Sequence, residues 1–218
     1  MLELTLPVAS APFHILCIGA HCDDIEIGCG ATLQVLAARF PSLELHWTVL
    51  SATGERAAET KRAARLLLPE SVSIQFELQA FRESYFPYVG ADIKEFVQGL
   101  SGRFEPDLIF THSMSDRHQD HRVVSELTSN AYRDHLILEY EVAKYDGDLT
   151  SPNVFVPAGA EQMRKKVGAL MEAFPSQRSK YWFTEETFTS LMRLRGIESR
   201  SPSGYAEAFH CRKLRLLA

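Results

Sequence analysis

His14-Ile-Leu-Cys-Ile-Gly19, followed at once by Ala20-His21-Cys22-Asp23-Asp24, is the stretch on which the fold turns. Its first six residues are almost continuously apolar, the pattern of a strand covered on both faces. A polar, acidic turn over 20–26 follows, then Gly28 and Gly30, and then a helix predicted over 32–40 that Pro41 stops. Strand, loop and helix in that order open a βαβ unit.

The alternation continues outward. Strands are predicted over 43–50, 72–78, 107–111 and 136–142, with helices over 56–68, 89–103 and 123–135 between them. The helix over 56–68 is rich in Ala, Leu and Arg, all strong helix formers. A polar turn region over 144–153, amphipathic helices over 160–174 and 185–195, and a final strand over 209–216 complete the reading. The expectation is an α/β protein: a Rossmann-like three-layer sandwich with a mostly parallel sheet and its site at the carboxyl ends of the strands. No repeat, low-complexity tract or linker divides the chain. Residues 1–218 therefore read as one domain, with an irregular leader through Pro12.

Composition narrows the class. The 218 residues are 45% hydrophobic, enough for one sizeable core. Lys and Arg number 23 against 28 Asp and Glu, a net charge of −5, which argues against a nucleic-acid binder. Cys17, Cys22, Cys29 and Cys211 form no CxxC pair and fit reduced thiols in a cytoplasmic protein. The apolar stretch over 4–19 is interrupted by Pro7, Ser10, Pro12 and His14 and lacks a basic start, so neither a signal peptide nor a membrane anchor is expected.

The chemistry concentrates in two loops. The first, His21 to Asp24, lies just past the first strand. The second, His112-Ser-Met-Ser-Asp116-Arg117-His118-Gln119-Asp120-His121, lies just past the strand at 107–111. A parallel sheet brings both to one edge, where open α/β sheets bind ligands. A catalytic zinc takes three protein ligands and keeps one position for water or substrate. His21 and Asp24, three apart, can point together from one turn, and His121 can complete the set. Asp23 is then adjacent and unligated, placed to take a proton from the activated water. His118 is free as well, and Asp120 is a candidate to orient the ring of His118 or of His121.

These residues resemble the signature of the PIG-L (LmbE-like) deacetylases. His21-Cys22-Asp23-Asp24 with Gly28-Cys29-Gly30-Ala31-Thr32-Leu33 is similar to their His-Pro-Asp-Asp and Gly-x-Gly-Gly-Thr-Leu motifs, and 116–121 to their His-x-Asp-His motif. Arg56-Ala-Ala-Glu59 is a weaker match to an Arg-x-x-Glu helix. The resemblance implies a zinc-dependent amidohydrolase that removes acetyl from an N-acetylglucosamine-type sugar, its nucleotide or another conjugate, with Fe2+ or another divalent ion as substitutes for zinc. Carried over, His21, Asp24 and His121 bind the metal, Asp23 is the general base, and His118 assists the oxyanion or the leaving amine. Cys22 stands where the family has proline, and Ala31 where it has glycine. The Cys22 thiol points either at the metal or into packing.

Plainer readings stand beside these. Asp23-Asp24 alone suits a helix cap. Arg56 contacts substrate or pairs with Glu59 on a helix surface, and Arg82 and Glu83 touch sugar or belong to an ordinary surface loop. His112 reads as a pocket wall or a hydrogen-bonded core residue. His14, His46, His135 and His210 read as structural, without acidic partners at ligand spacing. Arg164-Lys165-Lys166 and the cluster over 212–215 read as solvated faces. The acidic run over 139–148 either faces the pocket or forms an ion-pair network with Lys144. Two histidines and a carboxylate also describe a non-haem Fe(II) enzyme, and a non-catalytic metal- or sugar-binding α/β module is a further alternative. A homo-oligomer is compatible with all of these.

Overall fold

A computed structural model describes residues 3–7 and 12–215. Seven strands form one sheet in the order β3-β2-β1-β4-β5-β7-β6. They are β1 (Phe13–His21), β2 (Leu43–Ser51), β3 (Ser73–Leu78), β4 (Leu108–His112), β5 (Ile137–Tyr140), β6 (Val154–Ala158) and β7 (Tyr205–His210). The first five are parallel, and β7 runs antiparallel between β5 and β6. The helices are α1 (Asp24–Arg39), α2 (Gly54–Leu67), α3 (Gly90–Ser101), α4 (Gln119–Ala131), α5 (Ala160–Ala173) and α6 (Glu185–Ser199).

The apolar runs of the sequence are the middle layer. Ile15 and Cys17 of β1 join Leu45 and Trp47 of β2 under α1, α2 and α5. Ile18 and Ala20, on the opposite face of the pleat, meet Ile93, Val97 and Val124 of α3 and α4. The mostly parallel three-layer expectation is therefore met. The chain runs outward from β1 in both directions, so the crevice between β1 and β4 is the switch point of the sheet. No helix among the described residues is long and apolar enough to cross a membrane.

Three expectations need correction. First, α1 starts at Asp24, not at residue 32, because tertiary contacts compensate its glycines. A Cβ on Gly28 would overlap the Tyr140 ring, and Cys29 breaks the helix with φ −139° and ψ 15°. Lys166 Nζ donates to Ile27 O at that break, while Glu207 accepts the Ala31 and Thr32 N–H groups. Lys166 is thus buried and paired with Glu207, not solvated. Second, α4 starts at Gln119, four residues before the predicted 123, because His118 caps it.

Third, the last strand ends at His210, and Leu216 lies outside the described residues, as do residues 1, 2 and 8–11 of the leader. The unpredicted β6 contains Pro157, which an edge strand tolerates. His14, His46 and His135, which have no acid at ligand spacing in the sequence, do meet acids in space: Glu44 and Asp107, Glu77, and Glu105.

Candidate metal centre and active site

Strand β1 delivers His21 to the switch point, and the first turn of α1 delivers Asp24. The tight connection is fixed by Asp24 Oδ2, which accepts the His21 backbone N–H at 2.6 Å. His121, in the first turn of α4, closes the set. His21 Nδ1 lies 3.1 Å from His121 Nε2 and 3.4 Å from Asp24 Oδ2, and His121 Nε2 lies 3.5 Å from Asp24 Oδ1. All three side chains are buried. The two loops that carry the chemistry therefore meet, as expected.

Each histidine turns its second nitrogen to a carboxylate. His21 Nε2 lies 3.1 Å from Asp120 Oδ2, and His121 Nδ1 lies 2.9 Å from Asp116 Oδ2. This fixes both rings with Nδ1 of His21 and Nε2 of His121 facing Asp24. Two nitrogens and a carboxylate, each imidazole backed by an acid, fit a divalent ion of the zinc type. Asp120 orients His21, not His118 or His121 as expected. The orienting acid of His121 is Asp116, to which the sequence reading gave no role. His112 is a buried hydrogen-bonded residue beside the set: its Nε2 accepts the Ala20 N–H at 3.0 Å, lies 3.1 Å from Asp24 Oδ2, and its ring stacks on His121.

The charges are strongly coupled. Burial acts to raise the Asp24 carboxyl, but His121, His112 and His21 hold it well below the usual range. Burial acts to lower His21, yet Asp24 and Asp120 push it up to about 10. Burial and His112 drive His121 down to about 3. Of the two facing nitrogens, His21 Nδ1 is thus the one that carries a proton.

Asp23 occupies the cap position of α1 but makes no side-chain cap bond. Its Oδ1 instead accepts from Arg56 at 2.9 Å. Arg56 also donates to Glu59 Oε2 at 3.2 Å and to Ser176 Oγ at 3.1 Å, and Glu59 accepts the Ser176 N–H and O–H. Arg56 and Glu59 form a clamp on Asp23 anchored in the segment between α5 and α6. Nothing local in the sequence marks Ser176 for this role. Burial raises the Asp23 carboxyl above its ordinary value, with Arg56 opposing.

Across the centre, His118 Nδ1 accepts the Asp120 N–H at 3.2 Å and so caps α4. Its ring lies 4.5 Å from that of His121 and 4.9 Å from that of His21. Burial and the charge of His21 lower its pKa. Arg82 and Glu83 lie on the exposed loop after β3, where the Arg82 guanidinium covers the Tyr85 ring at 3.6 Å. Ser84 and Phe86 of the same loop donate their N–H groups to Asp120 at 2.6 and 3.2 Å. The Cys22 thiol turns away from the centre, donating to Ser51 O, and burial pushes it up to about 12. The acidic run after β5 is an ion-pair network: Lys144 bonds Asp148 and Asp116, Arg195 bonds Glu141, and Arg212 bonds Glu139.

Known proteins share this architecture. A conserved protein of Thermus thermophilus superposes with a TM-score of 0.68 at 21% identity, covering 94% of this chain and 96% of that one. The N,N'-diacetylchitobiose deacetylase of Pyrococcus horikoshii gives 0.67 at 20% identity, covering 91% and 83%. The 4-carboxy-2-hydroxymuconate hydratase of Pseudomonas putida gives 0.66 at 18% identity, covering 94% and 98%. At these identities the likeness is one of fold. The family model described as PIG-L: GlcNAc-PI de-N-acetylase matches residues 16–132, more than half of the chain, from within β1 through the end of α4. That span holds both loops of the centre, and the chain belongs to the PIG-L family.

Proposed function

We propose that this chain is a single-domain, zinc-dependent hydrolase that removes the N-acetyl group from an N-acetylglucosamine-type sugar or sugar conjugate. The observation that carries the reading is Asp23: a buried carboxylate beside the His21, Asp24 and His121 set, held by Arg56 through one oxygen only. A facial-triad oxygenase has no use for that extra base. The diacetylchitobiose deacetylase of like fold supports the substrate class. Four unpaired cysteines suit a reducing compartment, in keeping with the cytoplasm.

A divalent ion at these three ligands supplies Lewis acidity, bringing the pKa of a water toward about 7 and polarising the acetyl carbonyl. Asp23 takes the proton through Oδ2, since Arg56 occupies Oδ1. Burial raises its pKa, which makes it a stronger base than a solvated carboxylate. His118 works as a neutral donor. Because Nδ1 accepts the Asp120 N–H, the ring proton sits on Nε2, available to the oxygen on which charge develops. Protonating Nδ1 would break the helix cap, so the proton for the leaving amine comes from Asp23.

Acetate release from a panel of N-acetylglucosamine conjugates tests the reading, and it also separates it from the hydration chemistry of the Pseudomonas enzyme. Asp23→Asn should lose roughly 10²–10⁴ in rate with the metal retained, and His118→Ala about 10²–10³. Full activity in metal-loaded Asp23→Asn, or no acetate from any conjugate, refutes it.

A further inference from the structure

Behind His121 a line of buried charges leads away from the centre. Asp116 Oδ2 meets His121 Nδ1 at 2.9 Å, and Asp116 Oδ1 lies 3.0 Å from Lys144 Nζ. Lys144 Nζ donates to Asp148 Oδ2 at 2.6 Å, and that oxygen also accepts the Arg117 N–H at 2.8 Å. The side chains of Lys144 and Asp148 are 7% and 5% exposed, so water screens the pair little. Both belong to the segment after β5, whereas Asp116 and Arg117 belong to the one after β4. Lys144 therefore fastens one loop to the other at the acid that faces a candidate ligand.

We propose that Lys144, anchored by Asp148, is a positioning residue for the metal centre. It holds Asp116 in the place where its second oxygen receives the His121 Nδ1–H. His121 Nε2 is then left with its lone pair directed at Asp24 and the ion. The inference rests on the reading of His21, Asp24 and His121 as ligands. It adds that a side chain two links removed from the candidate ligand His121, on a different loop, governs how well the ion is held. A buried lysine here supplies what solvent cannot: a fixed counter-charge that keeps Asp116 from turning to other donors. Asp116 Oδ1 also accepts the His118 N–H at 2.8 Å, so the same clamp sets the start of α4, which carries His121.

The test is the affinity of full-length protein for Co(II), measured by chelator competition and by its d–d absorption. His121 tautomers are read in the metal-free protein by 15N-correlated NMR. Lys144→Gln should weaken Co(II) binding about 10–100-fold, the usual effect of losing an outer-shell partner, and should reduce the Nδ1–H tautomer of His121. Lys144→Arg, which keeps the charge, should recover most of both losses, and Asp148→Asn should fall between. If Lys144→Gln does not fold, Asp148→Asn and Lys144→Arg carry the comparison. Wild-type affinity and tautomer in Lys144→Gln, or in Asp148→Asn where that variant must serve, overturn the inference, as does a Lys144→Arg protein no better than Lys144→Gln. If wild type itself binds Co(II) no better than His121→Ala, the ligand reading fails instead.

Discussion

Replacing Lys166 by methionine should be among the most costly single changes away from the active site. Helix α1 breaks at Cys29, and beside the break Ile27 O, Ala31 N and Thr32 N bond to side chains of other elements. Lys166 Nζ donates to Ile27 O and to Glu207 Oε1, both at 2.6 Å, and Glu207 accepts the two amides at 3.0 and 2.6 Å. The two side chains are 4% and 3% exposed. Lys166→Met leaves the Glu207 carboxylate buried without its counter-charge, a change that costs about 3–5 kcal/mol. It also leaves the Ile27 carbonyl without its side-chain donor, with a desolvation cost of about 1–3 kcal/mol that overlaps the first. At about 2–4 °C per kcal/mol for a chain of this size, the melting temperature should fall by roughly 10 °C. The double variant Lys166→Met with Glu207→Gln should regain most of the loss, because no buried charge remains while the glutamine oxygen still accepts an amide. The assay is urea and thermal unfolding of the three proteins under identical conditions. A Lys166→Met protein within about 1 kcal/mol of wild type, less than one orphaned carbonyl should cost, would refute the reasoning.

Two further outcomes are expected. His21 is pushed up to about 10 and carries its extra proton on the nitrogen facing the ligand set, so binding of a divalent ion at pH 8 should release about one proton. Titration calorimetry in buffers of different ionisation enthalpy reads that number, and an enthalpy independent of buffer contradicts it. Glu26 is buried with neither side-chain oxygen bonded, and burial raises its carboxyl well above the ordinary value. The folded protein thus holds this proton to higher pH than the unfolded chain. The Glu26 contribution should decline from the unfolded pKa near 4.3 up to the folded value, at a slope approaching about 1.4 kcal/mol per pH unit. Glu26→Gln removes that slope, so its stability relative to wild type should improve from pH 5 to pH 8; a constant difference would rule the idea out.

The sheet core was legible because its strands are short, bounded by turn signals and largely buried: 14–19 as an almost continuously apolar run and 43–50 as an alternation rich in large apolar residues. Both chemical loops were legible because a strand end fixes where they emerge. The start of α1 was not, since Gly28 and Gly30 oppose helix locally and only Tyr140, Lys166 and Glu207 reveal why they are accepted. Lys166 looked solvated for the same reason: its partner lies 41 residues away. Within the site, spacing picked out His21, Asp24 and His121 as candidates, and the fold brings them together, but which acid backs which imidazole depends on how α4 sits over β1. Asp120 reaches the histidine 99 positions earlier while Asp116 reaches the one five later, a pairing no local rule produces.

The loop after β3 lends two peptide N–H groups to Asp120, and Asp120 in turn steadies the ring of His21. Under the proposed function, a sugar that settled against Arg82–Tyr85 and drew that loop away from α4 should loosen the hold on the ion, whereas one that pressed the loop inward should tighten it. Because such linkage is reciprocal, the factor by which an occupied rim changes ion affinity equals the factor by which the ion changes sugar affinity. On the proposed function, selection of the substrate and retention of the metal would then be linked through the two peptide groups that hold Asp120.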